Sequence, residues 1–377
     1  MSSGLRDARK ARGWSQERLI HEIERYARQH VTDVASTASL RVYVSEWENG
    51  KRTISDRYAA ILRPLLGCTD EELRGRGAVA PVLPMADGYD ELLSRIDAAR
   101  SVSADMVDAF NDQTELLRKM DRSRGAAHLV DRMTAHLGDL EEALNFAVLP
   151  NARKPVALAL AGASTLAAWQ AIDSGAIERA WQHYELAKRA AHDAEAPMYL
   201  AHAKAEQAYV LSEAGRPALG LELVRDAQRS LGLAGSPRLR AWLHSAEAEL
   251  CAHVGLGDDC RRALEAAGAA IPAGPEDRDP DMLSIFLNDA HLSRWRGNVL
   301  ALLGDGEAVT SLYGALEVVD PTFVRAQAGL HSDLVQAHLA REEYDEAQTH
   351  LRQARLLASR TGSVRQRRRV DMLSSKL

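Results

Sequence analysis

The sequence predicts an all-α chain in which a small N-terminal domain precedes a long array of helical hairpins. Ala and Leu abound, Phe occurs 4 times in 377 residues, and β-branched clusters are few, which favours helices packed through small side chains over a sheet. Apolar residues recur at helical spacing along most of the chain. From residue 156 a motif returns at intervals near 40, the mark of a solenoid.

The chain exceeds the roughly 100–200 residues of one domain. Residues 74–88, RGRGAVAPVLPMADG, interrupt helical periodicity with glycines and prolines and read as a linker. They separate a first domain over 1–73 from connecting helices over 89–155 and a repeat domain over 156–377. In the connecting region Met106, Phe110, Gln113 and Leu117 share one helical face, and Leu129, Met133, His136, Leu140 and Leu144 share another. Pro150 and Pro155 punctuate the chain before the next helix.

Five segments carry the repeat: AWQHYELA, GLELVRDA, CRRALEAA, AVTSLYGA and AQTHLRQA. Each opens on a small residue (Ala180, Gly220, Cys260, Ala308, Ala347), with Tyr184, Val224, Leu264, Leu312 or Leu351 four places on. Ala187, Ala227, Ala267, Ala315 or Ala354 follows at the seventh. That spacing puts a narrow stripe on a second helix and lets a first helix approach closely. The starts lie 40, 40, 48 and 39 residues apart, the long interval containing the PAGPEDRDP run at 272–280. The small, apolar, Ala order resembles tetratricopeptide repeats, so the fold expected is a tetratricopeptide-like α-solenoid. The period departs from the family's about 34, which leaves HEAT-like packing open.

A solenoid presents a concave face lined mainly by the first helix of each pair. The tetratricopeptide frame points Trp169, His202, Tyr209, Trp242, Glu249, Ser293 and Gln336 toward it, a mixture suited to a peptide or small amphipathic ligand. Packing between repeats is the plainer use of such aromatics. Ala290 and Gly297 would leave room on the floor. The basic RQRRR at 365–369 reads as the solvated end of a last capping helix, with an acidic partner or DNA as the alternative.

Net charge is −6, which excludes a protein that coats nucleic acid along its whole length. Its distribution is uneven: residues 1–76 hold 14 Lys and Arg against 11 Asp and Glu, the remainder 33 against 42. Any nucleic-acid contact should therefore be N-terminal.

There the segment LRDARKARGWSQERLIHEI precedes SLRVYVSEWENGKRTISDRYAAILRPLLGCTDEEL. Trp14-Ser15-Gln16-Glu17 and SEWENGKR are its strongest parts, and the whole resembles the helix-turn-helix of the Cro/repressor-type (XRE) family of bacterial regulators. Ser15 suits the N-cap of helix 2, and Gln16 at its start can donate to a DNA phosphate. Ser39 suits the N-cap of a recognition helix over 40–48, whose first turns in such folds enter the major groove. Leu40, Val44 and Trp47 should pack inward, leaving Arg41, Val42, Ser45 and Glu46 toward the groove. Arg41 can grip guanine with two hydrogen bonds, Glu46 can accept from cytosine, and Val42 can meet a thymine methyl. Asn49-Gly50 ends the helix and delivers Lys51 and Arg52 to the phosphates. The resemblance implies that Arg9 pairs with Glu48, as an exposed pair adding little stability. Two features depart from the family: a longer stretch between Gln16 and Glu48, which extends helix 2 through YARQH and enlarges the turn with VTDVASTAS, and Ile54 where a proline is common.

No phosphate-binding loop, H-E-x-x-H or G-x-S-x-G occurs, so no enzyme and no cofactor are expected. Cys68, Cys251 and Cys260 lack the spacing of a disulfide framework or metal site and read as small buried thiols. Charges at Arg6, Asp7, Arg9, Lys10 and Arg12 precede no apolar core of a signal peptide, and no uninterrupted apolar run approaches 18 residues; a cytoplasmic protein without a membrane partner is expected.

Proteins with this layout include bacterial receptors for signalling peptides, as in quorum sensing. The resemblance implies a homodimeric, sequence-specific transcription regulator on a palindromic double-stranded operator, its half-sites about 34 Å apart. The repeat domain would sense a peptide or small-molecule signal, with 74–88 and 89–149 transmitting it. Two alternatives stay open: an interaction scaffold with a vestigial DNA-binding domain, and a constitutive repressor with structural repeats.

Overall fold

The structure, a computed structural model, describes residues 4–30, 34–49, 51–69, 73, 92–96, 104–272, 278–279, 282 and 284–377. The expected linker at 74–88, Gly50 and most of the 272–280 run lie outside them. The fold is all-α, with no strand among the described residues. The chain divides into two compact units, Met1–Ala86 and Asp87–Leu377.

The first unit holds α1 (Gly4–Ala11), α2 (Gln16–Gln29), α3 (Thr37–Glu48) and α4 (Asp56–Leu66). Leu5, Leu19, Ile23, Leu40, Val44, Trp47 and Leu62 are buried together, so one face of each helix seals a single core. Ser15 caps α2 as expected, its hydroxyl accepting from the Arg18 N–H at 3.1 Å. The N-cap of α3 is Ser36 rather than Ser39: the Ser36 hydroxyl accepts from the Ser39 N–H, so the helix starts a turn early. Asn49 is the C-cap of α3, as expected, at a φ of −98°.

In the second unit residues 92–96 are helical, and α5 (Ala104–Arg124) and α6 (Val130–Phe146) follow. The anticipated face of α6 is buried throughout, from Leu129 to Leu144. That of α5 is rotated: Met106 and Gln113 are exposed, and Phe110, Thr114, Leu117 and Asp121 turn inward. The Thr114 hydroxyl meets His136 Nε2 at 2.8 Å, which draws a polar residue into the seam between the two helices.

Five helical hairpins follow: α7 (Pro150–Asp173) with α8 (Ile177–Asp193), α9 (Pro197–Glu213) with α10 (Pro217–Leu231), and α11 (Pro237–His253) with α12 (Gly257–Ala270). Then come α13 (Asp289–Leu303) with α14 (Ala308–Val318), and α15 (Val324–Ala340) with α16 (Tyr344–Thr361). The repeat motif falls on every second helix, where its small and Ala positions are buried. Gly175, Gly215 and Gly255 make the first three hairpin turns at φ of 75–78°, which only glycine adopts at little cost. Helix α7 begins at Pro150, six residues before the expected start, because proline fits the first turn of a helix, where its missing N–H costs nothing. Among the described residues α7 is the one helix long and apolar enough to span a membrane, but 78% of its most apolar window is buried in the packed interior. Gly297 faces α14 instead of the concave floor: a Cβ there would lie 2.6 Å from Leu312 Cδ2.

The last helix, α17 (Val364–Ser374), does not trail into solvent as its basic sequence suggested. It folds back onto the first hairpin, where the Ser363 hydroxyl donates to Asp173 Oδ1 at 2.6 Å and Val364 packs on Gly175. Gly125 lies so close to the Thr361 carbonyl that a Cβ would collide at 1.9 Å. The solenoid is thereby closed on itself, and its concave face becomes the wall of a cavity.

Candidate functional site

Two regions gather the residues singled out from the sequence. In the first unit, α3 is clamped at its C-terminal end. Arg9 donates from Nε and Nη2 to the two oxygens of Glu48 at 2.5 and 2.9 Å, Gln16 Nε2 donates to Oε2 at 2.9 Å, and Arg6 Nε approaches at 3.5 Å. Glu48 is 2% exposed and Arg9 9%, so the pair is buried, contrary to the exposed one anticipated. Burial alone would raise the Glu48 pKa; the hydrogen bonds from Arg9 and Gln16 outweigh it and hold the carboxyl below its usual range. The clamp fixes α3 to both α1 and the start of α2.

With Leu40, Val44 and Trp47 turned inward, the outer face of α3 carries exposed Arg41 and Val42 and half-buried Ser45 and Glu46. Lys51 and Arg52 follow, exposed. Several of these groups have partners within the unit. Arg41 Nε donates to Glu17 Oε1 at 2.9 Å, Arg52 lies 3.5 Å from Glu46 and sits over the Tyr43 ring, and Gln16 is held by Glu48. Such exposed pairs are worth at most about 1 kcal/mol, so they orient Arg41 and Arg52 without locking them.

In the second unit, the first helices of all five hairpins, together with α5, α17 and the segment before α13, line a cavity of about 300 Å³. Trp169, His202, Tyr209, Trp242 and Glu249 all line it; Ser293 and Gln336 do not. Ser293 is exposed on the outside of α13, and Gln336 donates to the Ala301 carbonyl at 3.3 Å. The aromatic rings meet edge to face, with centroids of 5.7 Å for Trp242 and Trp295, 4.8 Å for His202 and Trp242, and 5.8 Å for Trp169 and Tyr209. Glu249 Oε2 accepts from the Tyr209 hydroxyl at 3.0 Å and Trp295 Nε1 at 2.7 Å, tying three hairpins together.

The cavity is also lined by Arg118, Arg122, Arg294, Arg325, Arg365 and Arg369. Four have carboxylates: Arg118 with Glu115 at 3.4 Å, Arg325 with Asp121 at 2.6 Å, Arg365 with Glu213 at 2.6 Å and Arg369 with Asp333 at 2.5 Å. Among the described residues no carboxylate lies within ion-pair distance of Arg122 or Arg294. Arg122 sits instead over the rings of Phe286 and Phe323 at 4.6 and 5.1 Å, and burial pulls its pKa down to about 10. Burial likewise lowers that of Arg294. It also pushes Glu206 up to about 8 and His202 down to about 3, so at neutral pH both line the wall uncharged. His202 Nδ1, Ser284 Oγ, Asn298 Oδ1 and Gln366 Oε1, all on residues of this wall, are buried without a hydrogen-bond partner.

Compared with protein-family models and with curated protein sequences, the chain matches none of them.

The cavity's aromatic side was anticipated from the sequence; its arginines were not. Arg365 and Arg369 were assigned to a solvated tail, and Arg122 and Arg294 carried no signal beyond their place on helices that also bear inward apolar residues. Among the described residues no group of His, Cys, Asp and Glu has the arrangement of a metal site. Cys251 and Cys260 are buried, with pKa values pushed up to about 11 by burial; Cys68 is only half-buried.

Proposed function

We propose that the protein is a sequence-specific DNA-binding transcription regulator whose repeat domain senses a signal molecule. The observation that carries this reading is the clamp of Arg9 and Gln16 on Glu48, which braces α3 against α1 and α2 and leaves Arg41 and Val42 on its open face. A helix held from behind with a guanidinium and an apolar group outward has the chemistry to read base edges in a major groove. Lys51 and Arg52, at the end of the same helix, supply charge for the flanking phosphates. The unit's local excess of basic residues over an otherwise acidic chain supports the same assignment.

Resemblance to Cro/repressor-type regulators and to tetratricopeptide repeats adds the expectation of a homodimer on a palindromic operator. The polar and aromatic cavity supports sensing over purely structural repeats, because a wall with unpartnered buried polar atoms is costly unless something meets them. The pairing of Arg41 with Glu17 favours a second reading, an interaction scaffold in which the N-terminal unit no longer binds DNA. Sequencing of sheared genomic DNA retained by the full-length protein at moderate salt separates the two: recurrent fragments support a regulator, whereas uniform recovery matching input DNA refutes it.

A further inference from the structure

The lining of the cavity bears on the ligand class, an inference that rests on the sensing role proposed above. Its lining holds six arginines against four carboxylates, of which Glu206 is neutralised by burial and Glu249 is bound by uncharged donors. Arg118, Arg325, Arg365 and Arg369 have acids within ion-pair distance, whereas among the described residues Arg122 and Arg294 have none, Asp333 and Glu249 acting on Arg294 only from farther away. The two flank one place: the Phe286 ring beneath Arg122 meets the His291 ring edge to face at 4.6 Å, and Arg294 follows His291 by about one turn on α13; burial and both guanidinium groups together lower the His291 pKa to about 3. Phe286, beneath Arg122, and Trp295, one residue from Arg294, border the same corner.

A buried cation without a counter-ion is expensive, and the ordinary remedies are a lost proton or an acquired anion. A guanidinium keeps its proton at any ordinary pH. The aromatic walls beyond the corner suit a flat apolar body. The volume, about 300 Å³, lies at the lower end for ligand pockets. Contact of Arg325 with Asp121 and of Ser363 with Asp173 joins the two ends of the solenoid and narrows the groove to a volume of about 300 Å³, small for an extended peptide.

We propose that the cavity binds a small organic acid with a planar apolar body, its anionic group held by Arg122 and Arg294 and its body laid against Trp242, Trp295 and Phe286. Charge-assisted bonds from two guanidinium groups supply the selectivity for the anion, and the rings supply the apolar contact.

The test is isothermal titration calorimetry of the full-length protein, without DNA, against 1-naphthylacetate and its uncharged counterpart 2-(1-naphthyl)ethanol. The expected result is saturable binding of the acid at one site per chain, at least tenfold tighter than the alcohol. Arg294→Gln and Arg122→Gln should each abolish most of that preference while retaining the alcohol's weak binding, which shows that the cavity is intact. No saturable binding of the acid at millimolar concentration overturns the proposal, as does equal affinity for acid and alcohol in the unaltered protein, a comparison that needs no variant to fold. Because DNA is absent, failure here leaves the regulator reading standing, and failure of the genomic DNA experiment leaves the ligand assignment standing.

Discussion

Arg325 on α15 reaches Asp121 on α5 with 2.6 Å between Nη1 and Oδ2, and the same guanidinium nitrogen lies 3.9 Å from Asp173 at the end of α7. One cation thus serves two buried carboxylates from the opposite end of the solenoid, and with Ser363 on Asp173 it closes the ring. Burial pushes the Asp121 pKa up and Arg325 opposes that shift, so the acid depends on its partner to stay charged.

Removal of that partner should be costly. Arg325→Met leaves Asp121 and Asp173 buried without their ion-pair partner, a change expected to cost about 3–5 kcal/mol in urea unfolding. The double variant with Asp121→Asn should recover part of the loss, because the amide needs no counter-charge. A loss under about 1 kcal/mol for the single variant would mean that the ring is held elsewhere.

The clamp in the first unit makes a parallel prediction. Arg9→Ala strands the buried Glu48 carboxylate with only Gln16 and a distant Arg6, and should lower the unit's stability by about 3 kcal/mol. Glu48→Gln should cost less, since a neutral amide can still accept from Arg9. Hydrogen exchange of the α3 amides reads both; equal protection in the two variants contradicts the clamp.

DNA binding should separate the exposed side chains by role. Arg41→Ala is expected to lose about 1–3 kcal/mol on a selected site and to relax base choice at one position, while Lys51→Ala weakens all sequences alike and flattens the salt dependence. Glu17→Ala should strengthen binding by up to about 1 kcal/mol, because it frees Arg41 and removes a negative charge near the phosphates. Mobility-shift titrations at several salt concentrations check all three.

Stability should peak near neutral pH. His202 and His291 have folded pKa values of about 3 and His350 about 4, against about 6.5 unfolded, so their contribution is present above that value and lost as pH falls below it. Glu206 acts with the opposite sign: with a folded pKa of about 8, its contribution is present at low pH and lost as pH rises through that value. Melting temperatures should therefore be highest near about pH 6.5–7 and lower on both sides, and Glu206→Gln should remove the part of the alkaline fall below about pH 8, leaving the loss at higher pH from the buried Cys251 and Cys260 thiols. A curve rising steadily toward acid would contradict the buried neutral histidines.

The all-α class, the five second-helix stripes and the inward face of α3 were legible because each depends on local periodicity. The start of α3 was misplaced because Ser36 and Ser39 are both good caps, and only the hydrogen bond between them decides which one serves. Ser293 was chosen from a repeat frame that the long 48-residue interval had shifted; His291, Trp295 and Asn298, at helical spacing on the same helix, take the inward side. The arginines of α17 were misread for a different reason. Their partners Glu213 and Asp333 are remote in sequence, and an isolated helix with Arg365 and Arg369 one turn apart looks solvated. Ring closure is a long-range property that no local pattern encodes.

The measurement that bears most directly on the central claim is selection of bound duplexes from a random DNA pool by the full-length protein. The expected result is enrichment of a palindromic sequence whose half-sites are separated by about one helical turn, roughly 10–10.5 base pairs. A pool that shows no enriched sequence after repeated rounds at low salt, with the protein folded and the Arg9–Glu48 clamp intact, would contradict it.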